Sequence, residues 1–338
     1  MKLLVTGGAG FIGSSFVRAR VAAGDEVAVL DKLTYAGHRE NLAGIEEEIS
    51  FVHGDVCEAT VVRELVAGGP DAIAHFAAES HVDRSIMDAS AFERTNVEGT
   101  RVLLEAAADR GGVRFCHVST DEVYGPAAES ESFDEEAPFR PTSPYAATKA
   151  EADRLVRDVA RARSLDAVVV RCGNVYGPYQ YPEKLIPLFT MRALAGRDLP
   201  LYGDGSQERD WLHVRDCCEA VSAVLASGRA GEAYNVATGT LTPNRDVALR
   251  ILAEVGASAS LVHTVADRPR HDVRYRLDTS KVSRELGWKP TVVLEEGLRE
   301  TVRWYRDNRA WIDAVTGPGF DAYYRALRES RGDGRGSA

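Results

Sequence analysis

The 338-residue sequence has few cysteines, no long apolar run and no excess of positive charge. Its 41 Lys and Arg residues against 51 Asp and Glu residues give a net charge of -10, which argues against general binding to nucleic acid or to anionic membranes. No apolar run approaches the roughly 18 residues of a membrane-spanning helix. The first apolar residues, Leu3-Leu4-Val5, lead into a glycine turn and not into a signal-peptide cleavage site. We therefore expect a cytoplasmic protein with neither nucleic acid nor a membrane as partner.

The cysteines indicate neither a disulfide framework nor a metal site. They number five, which is odd, and they lack the paired spacing of zinc ligands. Cys116 and Cys172 fall in apolar, strand-like runs, where a thiol acts as a small apolar side chain. The remaining composition, 44% hydrophobic and 27% charged, is typical of a globular protein with one large domain or two coupled ones.

A glycine motif near the start of the chain indicates a dinucleotide site. Gly7, Gly10 and Gly13 lie between a short apolar strand and a helical pattern, where glycines allow a tight turn and a close approach of backbone N–H groups to a pyrophosphate. Asp31 ends the second predicted strand, where a carboxylate accepts hydrogen bonds from the adenosine ribose and repels a 2′-phosphate. The neighbouring Lys32 argues the other way, because a cation can bind that phosphate. We predict NAD and not NADP, with Asp55 near the adenine.

A second stretch carries groups for proton transfer. Thr120, Asp121 and Glu122 end a β-branched strand, and ligands of an open α/β sheet collect at the carboxyl ends of its strands. Tyr145 and Lys149 are four residues apart on a predicted helix and so share a face. Because a cation beside a phenol lowers its pKa from about 10, we predict that Lys149 makes Tyr145 a usable base. An acidic pair after a strand is also typical of a helix cap, but its combination with a dinucleotide motif favours catalysis.

Short strands alternate with helices along the first half of the chain. This rhythm predicts βαβ units and a Rossmann-type, doubly wound parallel α/β sheet. At residue 173 the composition of the sequence changes. Residues 173–182 are rich in Gly, Pro and Tyr, which predicts a loop. We expect a dinucleotide-binding domain over 1–172 that regains a strand near 231–240. A smaller, mixed α/β substrate-binding lobe is expected over 173–325, and a flexible tail over 328–338.

These residues resemble the extended short-chain dehydrogenase/reductase superfamily over nearly the whole chain. The likeness rests on residues 6–13 and on Asp31, Thr120, Tyr145 and Lys149. Within the superfamily, the chain is similar to the dTDP-glucose 4,6-dehydratase family. Here the likeness rests on the Thr120-Asp121-Glu122 triplet, since sugar-nucleotide epimerases of the same fold usually lack the Asp-Glu pair. The stretches 31–37, 75–85, 182–187 and 267–269 add to it.

The resemblance implies an NAD-dependent lyase that converts a nucleotide-activated hexose, dTDP-glucose, to its 4-keto-6-deoxy product. NAD would be tightly bound and regenerated in each turnover, and the protein would be a homodimer. Tyr145 would accept the proton of the carbon-4 hydroxyl, whose oxygen Thr120 would bind. Glu122 would remove the carbon-5 hydrogen, and Asp121 would protonate the departing carbon-6 hydroxyl. Lys149 would bind the nicotinamide ribose.

The resemblance also implies two sets of binding residues. For NAD they are Gly7, Gly10, Phe11, Ile12, Gly13, Asp31, Lys32, Thr34, Asp55, Val56, Ala77, Ala78, Tyr145 and Lys149. For the sugar nucleotide they are Ser85, Thr120, Asn174, Lys184, Leu185, Pro200, Tyr202, Arg209, Asn235, Arg268, His271 and Tyr275. Arg209 is the strongest physical candidate among them, because a guanidinium pairs with phosphate through two hydrogen bonds.

Two departures from the family pattern leave the sugar and the base open. Val175 stands where the family usually has the second of two adjacent asparagines, and Arg270 stands where it has a glycine. The alternatives are a dehydratase of a UDP-sugar, a sugar-nucleotide 4-epimerase, and a non-catalytic NAD-binding regulator. An epimerase would not need Asp121, and a regulator would typically lack the Tyr145 and Lys149 pair.

Overall fold

A central parallel sheet organises the structure, which is a computed structural model that describes residues 1–267, 272–317 and Phe320. Within these residues the sheet has seven strands, in the order β3-β2-β1-β4-β5-β6-β10. The strands are β1 Lys2–Thr6, β2 Glu26–Asp31, β3 Ile49–His53, β4 Ala72–His75, β5 Arg114–Thr120, β6 Ala167–Cys172, β7 Asn174–Tyr176, β8 Leu199–Tyr202, β9 Glu208–His213, β10 Ala233–Val236, β11 Leu241–Pro243 and β12 Val262–Val265.

The described residues contain twelve α-helices, some of which cover the two faces of this sheet. They are α1 Phe11–Ala22, α2 Ala59–Ala67, α3 Val82–Met87, α4 Ser90–Phe92, α5 Gly99–Arg110, α6 Pro144–Arg163, α7 Leu185–Leu194, α8 Val214–Ser227, α9 Asn244–Val255, α10 Ser280–Leu286, α11 Leu294–Asp307 and α12 Arg309–Val315. A π-helical turn, Glu93–Glu98, joins α4 to α5. No helix in the described ranges is long and apolar enough to cross a membrane.

The sheet is buried because its strands are apolar on both faces. All six residues of β6 are buried, as expected for a parallel strand covered by helices on each side. One core packs α1 and α8 against the sheet through Phe16, Val17 and Val221. The other packs α2, α5 and α6 against the opposite face through residues such as Leu103 and Val156. The Rossmann-type prediction is confirmed by this arrangement.

The strand order fixes the place of the site. The order reverses between β1 and β4, and ligands of doubly wound sheets bind in the crevice outside the strand ends at such a reversal. The glycine motif follows β1 and Thr120 ends β5, so both lie at this carboxyl edge.

A smaller group of strands and helices follows the main sheet. It contains the strands β11-β9-β7 and β12-β8, with a core of residues from α7, α9 and α11 such as Phe189, Ile251 and Leu298. The prediction that 173–182 is wholly loop is wrong, because β7 lies within it and pairs with β9. That pairing partner is more than 30 residues away (208 − 174 = 34), so turn residues alone did not reveal it. β10 pairs in parallel with β6. The division of the chain at residue 173 stays a prediction.

Candidate active site

Two adjoining cavities open at the carboxyl edge of the sheet. The glycine-loop cavity has a volume of about 230 Å³ and is lined by the Gly7–Gly13 loop and the ends of β2 and β4. The acidic-pair cavity has a volume of about 340 Å³ and is lined by Asp121 and Glu122, among others. Tyr145 lines both cavities, so a group on this side chain can reach a ligand in either.

The glycine loop is tightly packed. Gly7 has a φ of +71°, and a Cβ at this position would lie 2.5 Å from the backbone nitrogen of Ala77. A Cβ at Gly13 would lie 2.1 Å from the carbonyl oxygen of Gly7. Gly10 begins α1 without a side-chain cap, so the first backbone N–H groups of this 12-residue helix have no capping side chain. The loop therefore fits a pyrophosphate at a helix N-terminus. All the residues predicted to bind NAD line the glycine-loop cavity.

Two carboxylates lie at the end of this cavity where we predicted the adenosine to bind. Asp31 is 8% exposed, and its two oxygens accept hydrogen bonds from the backbone N–H groups of Ala9 (2.9 Å) and Leu33 (2.8 Å). Burial raises the pKa of Asp31, and these two bonds oppose the rise. Lys32 donates to Oδ2 of Asp55 at 2.8 Å. Because Asp55 holds the ammonium of Lys32, this cation is less available to a 2′-phosphate.

Asp121 is buried with an oxygen free for a ligand. It is 2% exposed, and its Oδ1 accepts a hydrogen bond from the hydroxyl of Thr120 at 3.1 Å. Its Oδ2 has no hydrogen-bond partner within the described residues. Burial, followed by the charge of Glu122, raises the pKa of Asp121 to about 8. Asp121 is therefore mostly a neutral acid at pH 7. The pair also begins a short 3-10 turn, and the hydroxyl of Thr120 caps this turn by accepting from the N–H of Glu122 at 3.3 Å.

Tyr145 is fixed at the start of α6. Ser143 caps this helix by accepting a hydrogen bond from the N–H of Ala146 at 3.1 Å, and Pro144 stands in its first turn. Tyr145 is 9% exposed, and its hydroxyl forms a hydrogen bond with Thr120. The hydroxyl of Thr120 thus lies between Tyr145 and Asp121.

Lys149 is not the largest influence on the pKa of Tyr145, which is raised overall, so the predicted lowering of that pKa by Lys149 stays a prediction. Its ammonium donates to the carbonyl oxygen of Val118 at 2.7 Å and contacts Nε2 of His117 at 3.3 Å. Burial, followed by the charge of Glu122, raises the pKa of Tyr145. Burial also lowers the pKa of Lys149 to about 8. Helical spacing put Lys149 on the correct face, since it lines the glycine-loop cavity, but packing chose its partners.

Most residues predicted for the sugar nucleotide line the acidic-pair cavity. Arg209 donates to the backbone carbonyl oxygens of Asp272 (2.9 Å) and Glu208 (2.8 Å), and its guanidinium lies 4.7 Å from the centre of the Tyr275 ring. No carboxylate forms an ion pair with Arg209 in the described ranges, so its charge is suited to a phosphate. The predicted residues that line this cavity are Thr120, Asn174, Lys184, Leu185, Pro200, Tyr202, Arg209 and Tyr275.

Two predicted substrate contacts are not in this cavity. Ser85 is 1% exposed and its hydroxyl donates to the carbonyl oxygen of Val82 within α3, at 2.7 Å. Asn235 is fully buried in β10, where it accepts from the hydroxyl of Tyr124 (2.8 Å) and donates to the carbonyl oxygen of Phe133 (2.9 Å). We therefore assign Ser85 and Asn235 to the protein framework. Arg268 and His271, like Arg270 and the predicted tail at 328–338, lie outside the described residues.

Sequence reasoning overlooked a carboxylate between the two cavities. Glu183 lines both, its side chain is 3% exposed, and it accepts from Nε of Arg84 at 3.1 Å. Burial raises its pKa. The available signal was its position beside Lys184 in a stretch that resembles the family. Gln180 likewise lines both cavities, while Asn244 and Asp272 line the acidic-pair cavity.

Comparison with known proteins gives the family. A family model described as GDP-mannose 4,6 dehydratase matches residues 4–301. The dTDP-glucose 4,6-dehydratase of Streptomyces niveus is 53% identical over 326 residues, which are 94% of this chain and 96% of that relative. This chain belongs to the dTDP-glucose 4,6-dehydratase family. Another member, dTDP-glucose 4,6-dehydratase 1 of Escherichia coli strain K12, is 44% identical over 360 residues, covering 98% of this chain and 100% of the relative.

Solved structures of the dehydratase family and of epimerases share the fold. The dTDP-glucose 4,6-dehydratase of Streptomyces venezuelae, crystallised with NAD, is 52% identical and has a TM-score of 0.90. The match covers 94% of this chain and 100% of that one. The UDP-glucose 4-epimerase of Thermus thermophilus, in complex with NAD, is 35% identical with a TM-score of 0.86, and the match covers 91% of this chain and 100% of that one. Since the fold serves both chemistries, the side chains of the acidic-pair cavity must distinguish a dehydratase from an epimerase.

Proposed function

We propose that the protein is a hydro-lyase that converts dTDP-glucose to the 4-keto-6-deoxy sugar nucleotide. The observation that carries this proposal is the neutral, buried Asp121 beside Glu122 and Tyr145 in one cavity, which adjoins the glycine-loop cavity. Loss of water from adjacent carbons needs an acid for the departing hydroxyl and a base for the hydrogen, and this cavity supplies both. The curated relatives support the choice of substrate.

The glycine-loop cavity is the proposed place for NAD. Asp31 would bind the adenosine ribose, the first turn of α1 the pyrophosphate, and Lys149 the nicotinamide ribose. NAD held by these residues would supply the acceptor for the hydride of carbon 4 and, once reduced, the donor of that hydride to carbon 6. The structures of relatives with bound NAD support this assignment.

The side chains of the acidic-pair cavity perform the proton transfers. Tyr145, in its phenolate form and hydrogen-bonded to the hydroxyl of Thr120, accepts the proton of the carbon-4 hydroxyl. The resulting ketone acidifies the carbon-5 hydrogen, which Glu122 removes. Asp121 delivers the proton on its unpartnered Oδ2 to the carbon-6 hydroxyl, which leaves as water. A pKa of about 8 keeps Asp121 protonated before this step. Arg209 binds the diphosphate through its charge and through the N–H groups that the backbone carbonyl oxygens leave unused.

Thr120 also links the two groups whose protonation changes over a turnover. Glu122 takes a proton from carbon 5 and returns one to it. Tyr145 therefore ends each turnover with one proton more, and Asp121 with one fewer. The hydroxyl of Thr120 forms hydrogen bonds with both groups, so the cavity holds a direct route for the proton that resets them.

Incubation of the purified protein with dTDP-glucose tests the proposal. We expect the absorbance that alkali induces in a 4-keto sugar, and a parallel reaction with UDP-glucose measures base preference. A 4-epimer without a ketone would indicate an epimerase. Binding of NAD without conversion of either sugar nucleotide would indicate a regulator.

The rate of water loss should fall at alkaline pH. The reactive form of Asp121 is the acid, and its pKa is raised to about 8. The single-turnover rate of dehydration should therefore be constant below this pH and fall about tenfold per unit well above it. Lys149 titrates in the same range, but it acts in the oxidation step. Measuring loss of the carbon-6 hydroxyl separately from oxidation at carbon 4 distinguishes the two groups. A dehydration rate that rises steadily with pH would exclude Asp121 as the acid.

Cofactor choice should depend on the charge of Asp31. Asp31→Ala should weaken NAD binding and reduce the difference in affinity between NAD and NADP. The substitution removes both the contact with the ribose and the repulsion of a 2′-phosphate. Asp31→Asn is the matched control, since it removes the charge and keeps an oxygen for one of the two N–H groups, that of Ala9 or that of Leu33. Titration of each cofactor into the stripped protein measures the effect. Tighter binding of NADP by the wild type would contradict the assignment.

The proposal also covers the oligomeric state of the protein, its location in the cell and its division into two lobes. By family likeness the protein is a cytoplasmic homodimer that associates through the helices near 92–107 and 145–162, with a substrate lobe from residue 173. Sedimentation at working concentration checks the assembly, and a single species of 36.7 kDa would contradict it.

A further inference from the structure

A cluster of aromatic side chains, most of them near the C-terminal end of the described chain, lies against the glycine-loop cavity, which its member Tyr181 lines. We define this C-terminal aromatic cluster by its buried members Tyr181, Tyr305, Trp311, Ile312 and Val315. They come from α11, from α12 and from the loop before α7. None of the proposed chemistry uses them. Tyr35 and Ala36 pack against the cluster, and Ala36 also lines the glycine-loop cavity.

We propose that this cluster clasps the wall of the glycine-loop cavity and slows the release of the bound dinucleotide, with Trp311 as the positioning residue. The proposal rests on the assignment of NAD to this cavity. Its subject is retention of the cofactor and not the reaction itself.

The first arm of the clasp is a chain of buried hydrogen bonds. Nε1 of Trp311 donates to Oδ1 of Asn41 at 2.8 Å, across 270 positions of sequence. Nδ2 of Asn41 in turn donates to the carbonyl oxygen of Ala9 at 2.8 Å, inside the glycine loop. Asn41 is 1% exposed and Trp311 is 8% exposed, so water does not compete for these bonds. A helix at the far end of the chain is thus connected to the loop that would hold the pyrophosphate.

The second arm consists of ring contacts on the segment 34–38. Thr34, Ala36 and Gly37 line the cavity, and this segment belongs to no helix or strand. The ring of Tyr35 meets that of Tyr181 edge-on with centroids 5.7 Å apart, and the guanidinium of Arg84 lies 3.8 Å from the centre of the Tyr35 ring.

Two further contacts hold Tyr181 and the end of the segment. His38 stacks on Tyr181 at 5.6 Å, and its backbone N–H donates to the carbonyl oxygen of Ala9 at 3.0 Å. The hydroxyl of Tyr305 donates to the carbonyl oxygen of Gln180, next to Tyr181. The covering segment is therefore held from outside by the cluster and from inside by the glycine loop.

Release of a dinucleotide would require this segment to move. Movement would separate the Tyr35 and His38 rings from Tyr181 and would break the hydrogen bonds at Ala9. Such losses raise the barrier to opening and slow dissociation, without contact between the cluster and the reacting sugar. A slowly released cofactor is compatible with the proposed reaction, because the hydride returns to the sugar within each turnover.

The dissociation rate of NAD from the full-length protein tests the clasp. Labelled NAD is bound, chased with unlabelled NAD in the absence of sugar, and followed by rapid gel filtration. Trp311→Phe keeps a ring but removes the N–H donor to Asn41, and it should raise the dissociation rate about fivefold, the effect of one hydrogen bond. Trp311→Ala also removes the packing and should raise it at least about tenfold.

Trp288→Phe is the matched control. Trp288 is a buried tryptophan of the main core, 7% exposed, whose Nε1 has no hydrogen-bond partner in the described part of the chain. Trp288→Phe should leave the dissociation rate of NAD unchanged. In Trp311→Phe the turnover rate at saturating NAD should also be unchanged.

Equal dissociation rates in wild type and both Trp311 variants would overturn the clasp and leave the proposed function intact. A dissociation rate raised equally by Trp288→Phe would also overturn it, since the effect would then be general loosening. A wild type that binds no NAD would refute the cofactor assignment itself.

Discussion

Asp121→Asn should oxidise its substrate but fail to release water. Oxidation at carbon 4 depends on Tyr145, so absorbance of the reduced nicotinamide should accumulate on the enzyme after dTDP-glucose is added. Dehydration should slow by about 10² to 10⁴, because an amide cannot protonate the departing hydroxyl. The substitution is mild for the fold. Asp121 is mostly neutral at pH 7, its Oδ1 bond to Thr120 can be kept by the amide oxygen, and its Oδ2 has no partner to lose within the described residues.

Glu122→Gln is the companion variant that separates the two carboxyl groups. It should also slow dehydration, but here exchange of the carbon-5 hydrogen with solvent should fail too. In Asp121→Asn that exchange should continue, because Glu122 is intact. Single-turnover absorbance combined with deuterium incorporation at carbon 5 measures both steps. If Asp121→Asn dehydrates at the wild-type rate, Asp121 is not the acid, and its role is confined to the turn that Thr120 caps.

Tyr145→Phe should lower turnover by about 10² to 10⁴, the usual effect of removing an acid–base group. Unlike Asp121→Asn, it should block the reaction before any reduced nicotinamide forms. The phenylalanine keeps the ring that lies edge-on to Phe92, with centroids 6.4 Å apart. NAD content and melting temperature should therefore stay near the wild-type values.

Thr120→Ser is the control for this second experiment. It keeps the hydroxyl between Tyr145 and Asp121 and should remain active, whereas Thr120→Val removes that hydroxyl and should slow the reaction. Stopped-flow absorbance during the first turnover shows whether oxidation is the affected step. Near-normal oxidation by Tyr145→Phe would rule out the tyrosine as proton acceptor.

The site could be predicted from sequence where its signals are local. The glycine loop is recognisable because a tight turn between strand and helix leaves no room for a Cβ at Gly7 or Gly13, and the structure has that packing. The strand that ends in Thr120 is recognisable from its β-branched residues. Helical spacing placed Tyr145 and Lys149 on one face, and both line the glycine-loop cavity.

Other features depended on partners that no local pattern reveals. Asn235 was predicted to bind the sugar nucleotide from the family resemblance. In the structure it belongs to a buried network in which Tyr124 also accepts from Arg171, whose guanidinium is paired with Asp153. The strand β7 exists because β9 pairs with it. Each outcome was decided by a segment distant in sequence.

The sequence by itself determined the fold class and indicated the position of the dinucleotide loop and the candidate proton-transfer groups. These follow from backbone sterics, from hydrophobic periodicity and from side-chain chemistry, which are properties of short segments. The tertiary structure alone decided the protonation of those groups, because desolvation depends on what packs around a carboxyl or an ammonium. Burial makes Asp121 a neutral acid and lowers the pKa of Lys149, whose ammonium donates to the carbonyl oxygen of Val118. Only folding brings Trp311 to Asn41, since the two are 270 residues apart and meet where α12 packs on residues 39–42.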